Sequence, residues 1–241
     1  MKEDSSSGGG PAPIKGRILL GAALVIVLIV VVALGVVELR SPNTTAGGGA
    51  GSTQASTPAE ALAALSKLKV ASPGSMSGYS RERFPHWSKA SSFGWDPPQS
   101  SCDSREAALI RDGRNVQVGK SCKVNSGEWL DPYTGKTYSD PKDLDIDHVV
   151  PLANAWRSGA SSWDDKQRER YANDPEVLLS VEDNANQAKG DKGPEAWKPP
   201  DKTEWCDYAE RWIQLKSKYS LSVNEQEKPA LEQMLGTCAK S

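Results

Sequence analysis

The longest feature in the pattern of hydrophobic and polar positions is an unbroken run of 20 uncharged residues, Ile18 to Val37, nearly all Ile, Leu, Val, Ala or Gly. As a helix it would span about 30 Å, the thickness of a bilayer core, so the pattern predicts one transmembrane helix over 18–37. Lys2, Lys15 and Arg17 precede the run and only Arg40 follows closely. By the positive-inside rule this puts residues 1–17 in the cytoplasm and the C-terminal part outside, single-pass in the cell membrane. A cleaved signal peptide, which would leave the protein secreted, is the alternative. Residues 38–78 read as a flexible linker, because Ser41 to Pro58 is built from small and polar residues that cannot bury apolar surface. Within it, Ala59 to Leu68 suits about three helical turns, ended by Ser72-Pro73-Gly74. A folded domain is expected over 79–241.

Inside that domain the period changes along the chain. Ser104 to Asp112 reads as a helix entered through Asp103 or Ser104 and ended by Gly113. Val116-Gln117-Val118, Ser121 to Val124 and Trp129-Leu130 read as short strands separated by turns at Asn125-Ser126-Gly127 and Asp131 to Gly135. Toward the C-terminus, Trp205, Tyr208, Trp212, Leu215 and Tyr219 recur at steps of three and four, the stripe of a helix packed on a core. Leu231, Met234, Leu235 and Cys238 repeat the pattern on a second helix. The expected fold class is α+β, with a C-terminal helical hairpin.

Charge and cysteines narrow the picture. From Tyr79 onward there are 23 Lys+Arg against 27 Asp+Glu, a net of −4, so any polyanion must be held by a local pocket. The cysteines, Cys102, Cys122, Cys206 and Cys238, lack the C-x-x-C spacing of zinc sites. Beyond a membrane they would oxidise, and Cys102–Cys122 with Cys206–Cys238 closes the shortest loops of the three possible pairings.

The chemistry concentrates in Leu144-Asp145-Ile146-Asp147-His148-Val149-Val150-Pro151, a strand pattern that sets an acid beside an imidazole. Neighbouring strand side chains leave opposite faces, so Asp147 and His148 share a site only where the strand bends or ends. After a helix-rich insertion over 152–173 come a second strand, Leu178 to Val181, and a helical turn over 184–190 that puts Asn186 and Lys189 on one face. Strand, strand and helix with these residues suit a metal-dependent nuclease. Asp and Asn offer hard oxygens to Mg²⁺, a neutral His148 takes a proton from water, and Lys189 adds charge to a phosphate. His86, followed by Trp87, reads as a packing residue.

At these residues the sequence resembles the HNH (ββα-metal) endonucleases, and within them the GmrSD-type C-terminal nuclease domains, including secreted or membrane-anchored actinobacterial-like members. The matching segments include Tyr79 to Phe84 with His86-Trp87, Cys102-Asp103-Ser104-Arg105, Ser126-Gly127-Glu128-Trp129, Asp131 to Gly135 and Asp145 to Leu152. They continue through Ala155 to Ala160, Ala172-Asn173-Asp174-Pro175, Asn186 to Asp191 and Trp197 to Pro200. The resemblance implies a ββα-metal core in a disulfide-braced domain. It further implies one divalent metal, Mg²⁺ first and Mn²⁺ or Zn²⁺ as alternatives, held by Asp147 and Asn186. His148 would be the general base, with Asp145 an accessory acid and Lys189, Arg105 and Arg157 facing the substrate. Val177 departs from the pattern, standing where such domains place a middle Asn that braces the loop of the base. The implied protein is a hydrolase of phosphodiester bonds, an endonuclease acting on DNA in preference to RNA, with nucleic acid and the cytoplasmic membrane as its partners. The reading from another class is a non-catalytic, envelope-anchored module that binds nucleic acid or a wall polymer.

Overall fold

Thr57 opens the part of the chain described by the computed structural model, residues 57–238. It does so with a capping box: its hydroxyl accepts from the Glu60 N–H at 3.3 Å, and the Glu60 carboxylate accepts from the Thr57 N–H at 2.8 Å. The helix that follows, α1 (Pro58–Lys67), has proline in its first turn and buries Ala61 and Leu65. It packs on the long helix α6 (Trp205–Lys218), and Ala71 N–H then bonds Val223 O at 2.9 Å. The ordered fold therefore includes a helix that its position among linker residues had set outside the domain.

Among the described residues no helix is long and apolar enough to cross a membrane. The longest, α6, has 14 residues and would cover about 21 Å, and only part of its surface is buried. The apolar run 18–37 lies outside the described residues. The expected fold class is corrected accordingly: the structure is a mixed α+β domain with two disulfides and a C-terminal helix pair, and among the described residues it has no transmembrane helix. The same observation corrects the expected membrane partner and single-pass, N-in location: no helix among the described residues could supply the anchor.

Two small antiparallel sheets carry the β structure. One has the order β1 (Arg114–Val118), β2 (Val124–Leu130), β3 (Thr137–Tyr138). The strand expected from Ser121 is instead a single 3-10 turn over Lys120–Cys122. There Ser121 and Cys122 take positive φ, 55° and 63°, as the chain turns to bring Cys122 back to Cys102. Helix α2 (Ser104–Asp112) packs beside this sheet, capped by the Asp103 carboxylate on the Glu106 N–H at 2.9 Å.

The second sheet is the hairpin of β4 (Leu144–His148) and β5 (Leu178–Glu182), in unbroken register from Leu144↔Glu182 to His148↔Leu178. Helices α3 (Leu152–Arg157) and α4 (Asp165–Asn173) fill the connection between its strands. Helix α5 (Asp183–Lys189) starts directly after β5, capped by the Glu182 carboxylate on the Ala185 N–H at 2.6 Å. The chain closes with α6 and α7 (Glu227–Leu235). The aromatic stripe of α6 is core: Tyr208, Trp212, Ile213 and Leu215 are buried, and Trp205 and Tyr219 pack against them part-exposed. The disulfides are Cys102–Cys122 and Cys206–Cys238, the pairing with the shortest loops.

Candidate functional site

Strand alternation decides how β4 divides its side chains. Leu144 and Ile146 enter a core shared with α2 and Leu178, whereas Asp145 and Asp147 face α5. On that helix Asn186 and Lys189 stand one turn apart, and each meets one acid of the strand. Asn186 Nδ2 donates to Asp145 Oδ2 at 3.0 Å; Lys189 Nζ donates to Asp147 Oδ1 at 2.9 Å and reaches Oδ2 at 2.8 Å. Lys189 also bonds the His148 carbonyl at 3.2 Å, and the Tyr133 hydroxyl donates to Asp147 Oδ2 at 2.6 Å.

The two acids differ in exposure. Asp147 and Lys189 are buried, while Asp145 and Asn186 are half-buried at the rim. Burial pushes the Asp147 carboxyl up, against the downward pull of the Lys189 ammonium and the Tyr133 hydroxyl. It also pushes the Lys189 ammonium down, against the attraction of Asp147. Asp145 Oδ1 and Asn186 Oδ1 have no hydrogen bond among the described residues, so the rim presents a carboxylate and an amide oxygen side by side.

His148 is the last residue of β4, and a bend over Val149-Val150 follows before Pro151. The strand ends where the sequence pattern required, yet the side chains of Asp147 and His148 still leave opposite faces, because the pairing with β5 stays regular through Leu178. His148 Nε2 lies 3.0 Å from the Ala172 carbonyl at the end of α4. A carbonyl only accepts, so Nε2 carries the proton and Nδ1 keeps its lone pair. Burial lowers the imidazole pKa to about 3, outweighing the Ala172 carbonyl, which favours the charged form. The ring is therefore neutral throughout the physiological range.

The remaining residues singled out from the sequence are held elsewhere. Lys189 is fully buried in its ion pair and presents no charge to solvent. Arg105 bonds its helix neighbour Glu106 at 2.6 Å, and none of its bonds reaches β4, β5 or α5. Arg157 spends both Nη nitrogens of its guanidinium on Asp191, at 2.7 Å to the carboxylate and 2.8 Å to the carbonyl. That contact fastens α3 to the segment just after α5.

Two residues at the site carried no functional signal in the sequence. Tyr133, in the turn after β2, is buried and holds Asp147. His86, read as packing, lies edge-on to the His148 ring with centroids 6.1 Å apart, and Trp87 lies 5.9 Å from the same ring. Only a contact across some 60 residues of sequence, to which local pattern is blind, reveals either His86 or Trp87 as a neighbour of His148.

Among the described residues one other cluster has the composition of a metal site. The ligand atoms of Cys206, Glu210 and Cys238 lie within 4.8 Å of one another. Its sulfurs are joined in the second disulfide, and a metal binds thiolates, so the cluster is a candidate divalent site of the reduced chain only.

Residues 103–234 match the family described as GmrSD restriction endonucleases, C-terminal domain. A protein of Arthroderma benhamiae, named as an uncharacterized secreted protein, is 52% identical to this chain over 177 residues, covering 72% of this chain and 82% of its own. No solved structure matches.

Proposed function

The chain belongs to the family of GmrSD restriction endonuclease C-terminal domains, and on that premise we propose that it is a metal-dependent endonuclease of the HNH type, hydrolysing phosphodiester bonds in DNA in preference to RNA. The observation that carries the reading is the composition of the β4–α5 unit: Asp145, Asp147 and Asn186 bring oxygen donors together, and a neutral imidazole with its Nδ1 lone pair uncommitted ends the same strand.

His148 Nδ1 takes a proton from the attacking water, and the Ala172 carbonyl holds the ring in the tautomer that leaves this nitrogen bare. His86 and Trp87 line the approach to that ring. Asp145, Asp147 and Asn186 form a set of hard oxygens that fits a Mg²⁺ or Mn²⁺ ion better than a thiophilic one. Asp145 and Asn186 are the accessible pair, and Asp147 lies behind them in its bonds to Lys189 and Tyr133. The chemistry a bound divalent ion supplies here is neutralisation of the charge that builds on the phosphate and its leaving oxygen. Two intact disulfides suit work in an oxidising compartment.

One observation favours a non-catalytic nucleic-acid-binding module instead: the Lys189 ammonium already satisfies both Asp147 oxygens. A single experiment separates the two. The oxidised full-length chain is incubated with supercoiled plasmid, and in parallel with RNA, in Mg²⁺ or Mn²⁺, with EDTA and His148→Ala as controls. Nicking that disappears in both controls is the expected result. A folded chain that binds the plasmid but leaves it intact in either metal overturns the nuclease reading and leaves the binding module.

A further inference from the structure

Asn173, the last residue of α4, is wholly buried, and its side chain uses all the hydrogen-bonding capacity an amide has. Oδ1 accepts from the Ser88 N–H at 2.9 Å and from the Ser104 hydroxyl at 2.7 Å. Nδ2 donates to the carbonyls of Pro85 and Glu169, both at 2.8 Å. Its own carbonyl accepts from Trp95 Nε1 at 2.8 Å. Four stretches of chain thus meet on one residue: the segment 85–88, Trp95, the N-terminus of α2 and the end of α4.

Two of these stretches form the surroundings of His148. Pro85 and Ser88 bracket His86 and Trp87, whose rings pack on the His148 ring. Ala172, one residue before Asn173, supplies the carbonyl that takes His148 Nε2. Val177, by contrast, offers only its backbone near the base, accepting from the Val149 N–H at 3.0 Å, while its side chain lies in the core.

We propose that Asn173 is a positioning residue for His148. It holds the Ala172 carbonyl and the His86-Trp87 segment in fixed relation, so that the imidazole keeps one tautomer with Nδ1 bare. The inference rests on the reading of His148 as general base. The geometry explains the residue type: Asp would lose both donors and bury a charge, and Ala would remove all four side-chain bonds, leaving the buried Ser104 hydroxyl without this acceptor.

The test uses the full-length oxidised chain labelled with ¹⁵N at histidine, which gives two imidazoles to assign. Wild type, Asn173→Ala and Ser104→Ala are compared by long-range ¹H–¹⁵N spectra and by cleavage kinetics on plasmid. The wild-type His148 ring is expected as the single Nε2–H tautomer. Asn173→Ala is expected to mix tautomers and lower kcat about tenfold or more, with KM within about twofold. Ser104→Ala, which removes one accepted bond, is expected to move both readouts in the same direction by less, about two- to threefold in kcat. A folded Asn173→Ala that keeps the wild-type tautomer and kcat overturns the proposal, as does a change confined to KM or to thermal stability. Where Asn173→Ala does not fold, Ser104→Ala decides by the same criteria. A wild type that cleaves nothing overturns the nuclease reading alone, and the tautomer signature then decides whether Asn173 positions the ring.

Discussion

The molecule buries two lysine–carboxylate pairs, and their surroundings differ. Lys216 on α6 meets Glu227 at the start of α7 at 2.8 Å, and Lys189 on α5 meets Asp147 on β4 at 2.8 Å. Burial lowers both lysines, and their own partners oppose it. Around Lys216 the remaining partners are neutral: Asn154 Oδ1 and Ser158 Oγ at 2.9 Å and Ser222 O at 2.8 Å. Glu227 in turn accepts from Trp212 Nε1 and the Asn224 N–H. That pair joins α3, α6 and α7. The pair at Asp147 instead lies two residues along the strand from the half-buried Asp145 and one residue from His148. Burial of a pair thus says little about its role. What surrounds each pair separates the joint at Lys216 from the reactive site proposed around Asp147.

The largest expected effects come from removing one partner. Lys216→Met and Lys189→Met each strand a buried carboxylate and should cost roughly 3–5 kcal/mol in urea unfolding of the oxidised chain. The double replacements then sharpen the contrast. Lys216→Met with Glu227→Gln should recover most of that stability and keep cleavage at the wild-type rate. Lys189→Met with Asp147→Asn should recover stability and lose cleavage. Equal activity in both doubles would erase the distinction between the pairs.

Next in size is the Cys206–Cys238 disulfide, which ties α6 to the end of α7, the helices the Lys216 pair already joins. Replacing both cysteines by serine should cost about 2–4 kcal/mol, and the loss should be non-additive with Lys216→Met because both changes loosen one contact. Strict additivity in the double-mutant cycle would mean the two ties act independently.

Per pH unit, a smaller effect follows from His148. Folded, the imidazole stays neutral down to about pH 3, while unfolded it protonates near 6.5. Between those values the unfolded chain binds the extra proton, so stability rises with pH and is lost as the pH falls through the window. This one group contributes a slope of about 1.4 kcal/mol per pH unit. His148→Gln should flatten the wild-type curve by that amount; identical slopes would place the ring in solvent.

The smallest effect on stability belongs to the rim. Asn186→Ala removes a half-exposed hydrogen bond worth about 0.5–1.5 kcal/mol, yet it should abolish any rise in melting temperature with added Mg²⁺ or Mn²⁺. A metal-dependent rise that survives in Asn186→Ala would move the ion elsewhere.

Much of this architecture was legible in the chain. Local signals suffice for it: the Asp103 cap and Gly113 bound α2, the three–four stripe of α6 names its buried side, and cysteine spacing picks the disulfides. The hairpin-plus-helix unit was also readable, since period-two and period-3.6 patterns are properties of neighbouring residues. The apolar period over 18–37 likewise suggested a membrane helix, but a run of apolar residues states length and hydrophobicity only.

What the sequence by itself determined is therefore the set of elements and the residue types that could carry chemistry: Asp145, Asp147, His148 and Asn186. Only the tertiary structure decided how these residues are used. It set Asp147 against Lys189 and Tyr133, left Asp145 with Asn186 at the rim, turned His148 to the opposite face, and brought the Ala172 carbonyl and His86 to it from far along the chain. The reason is that burial and partner choice depend on contacts across tens of residues, and these contacts set pKa, tautomer and access. No local pattern in the chain encodes them.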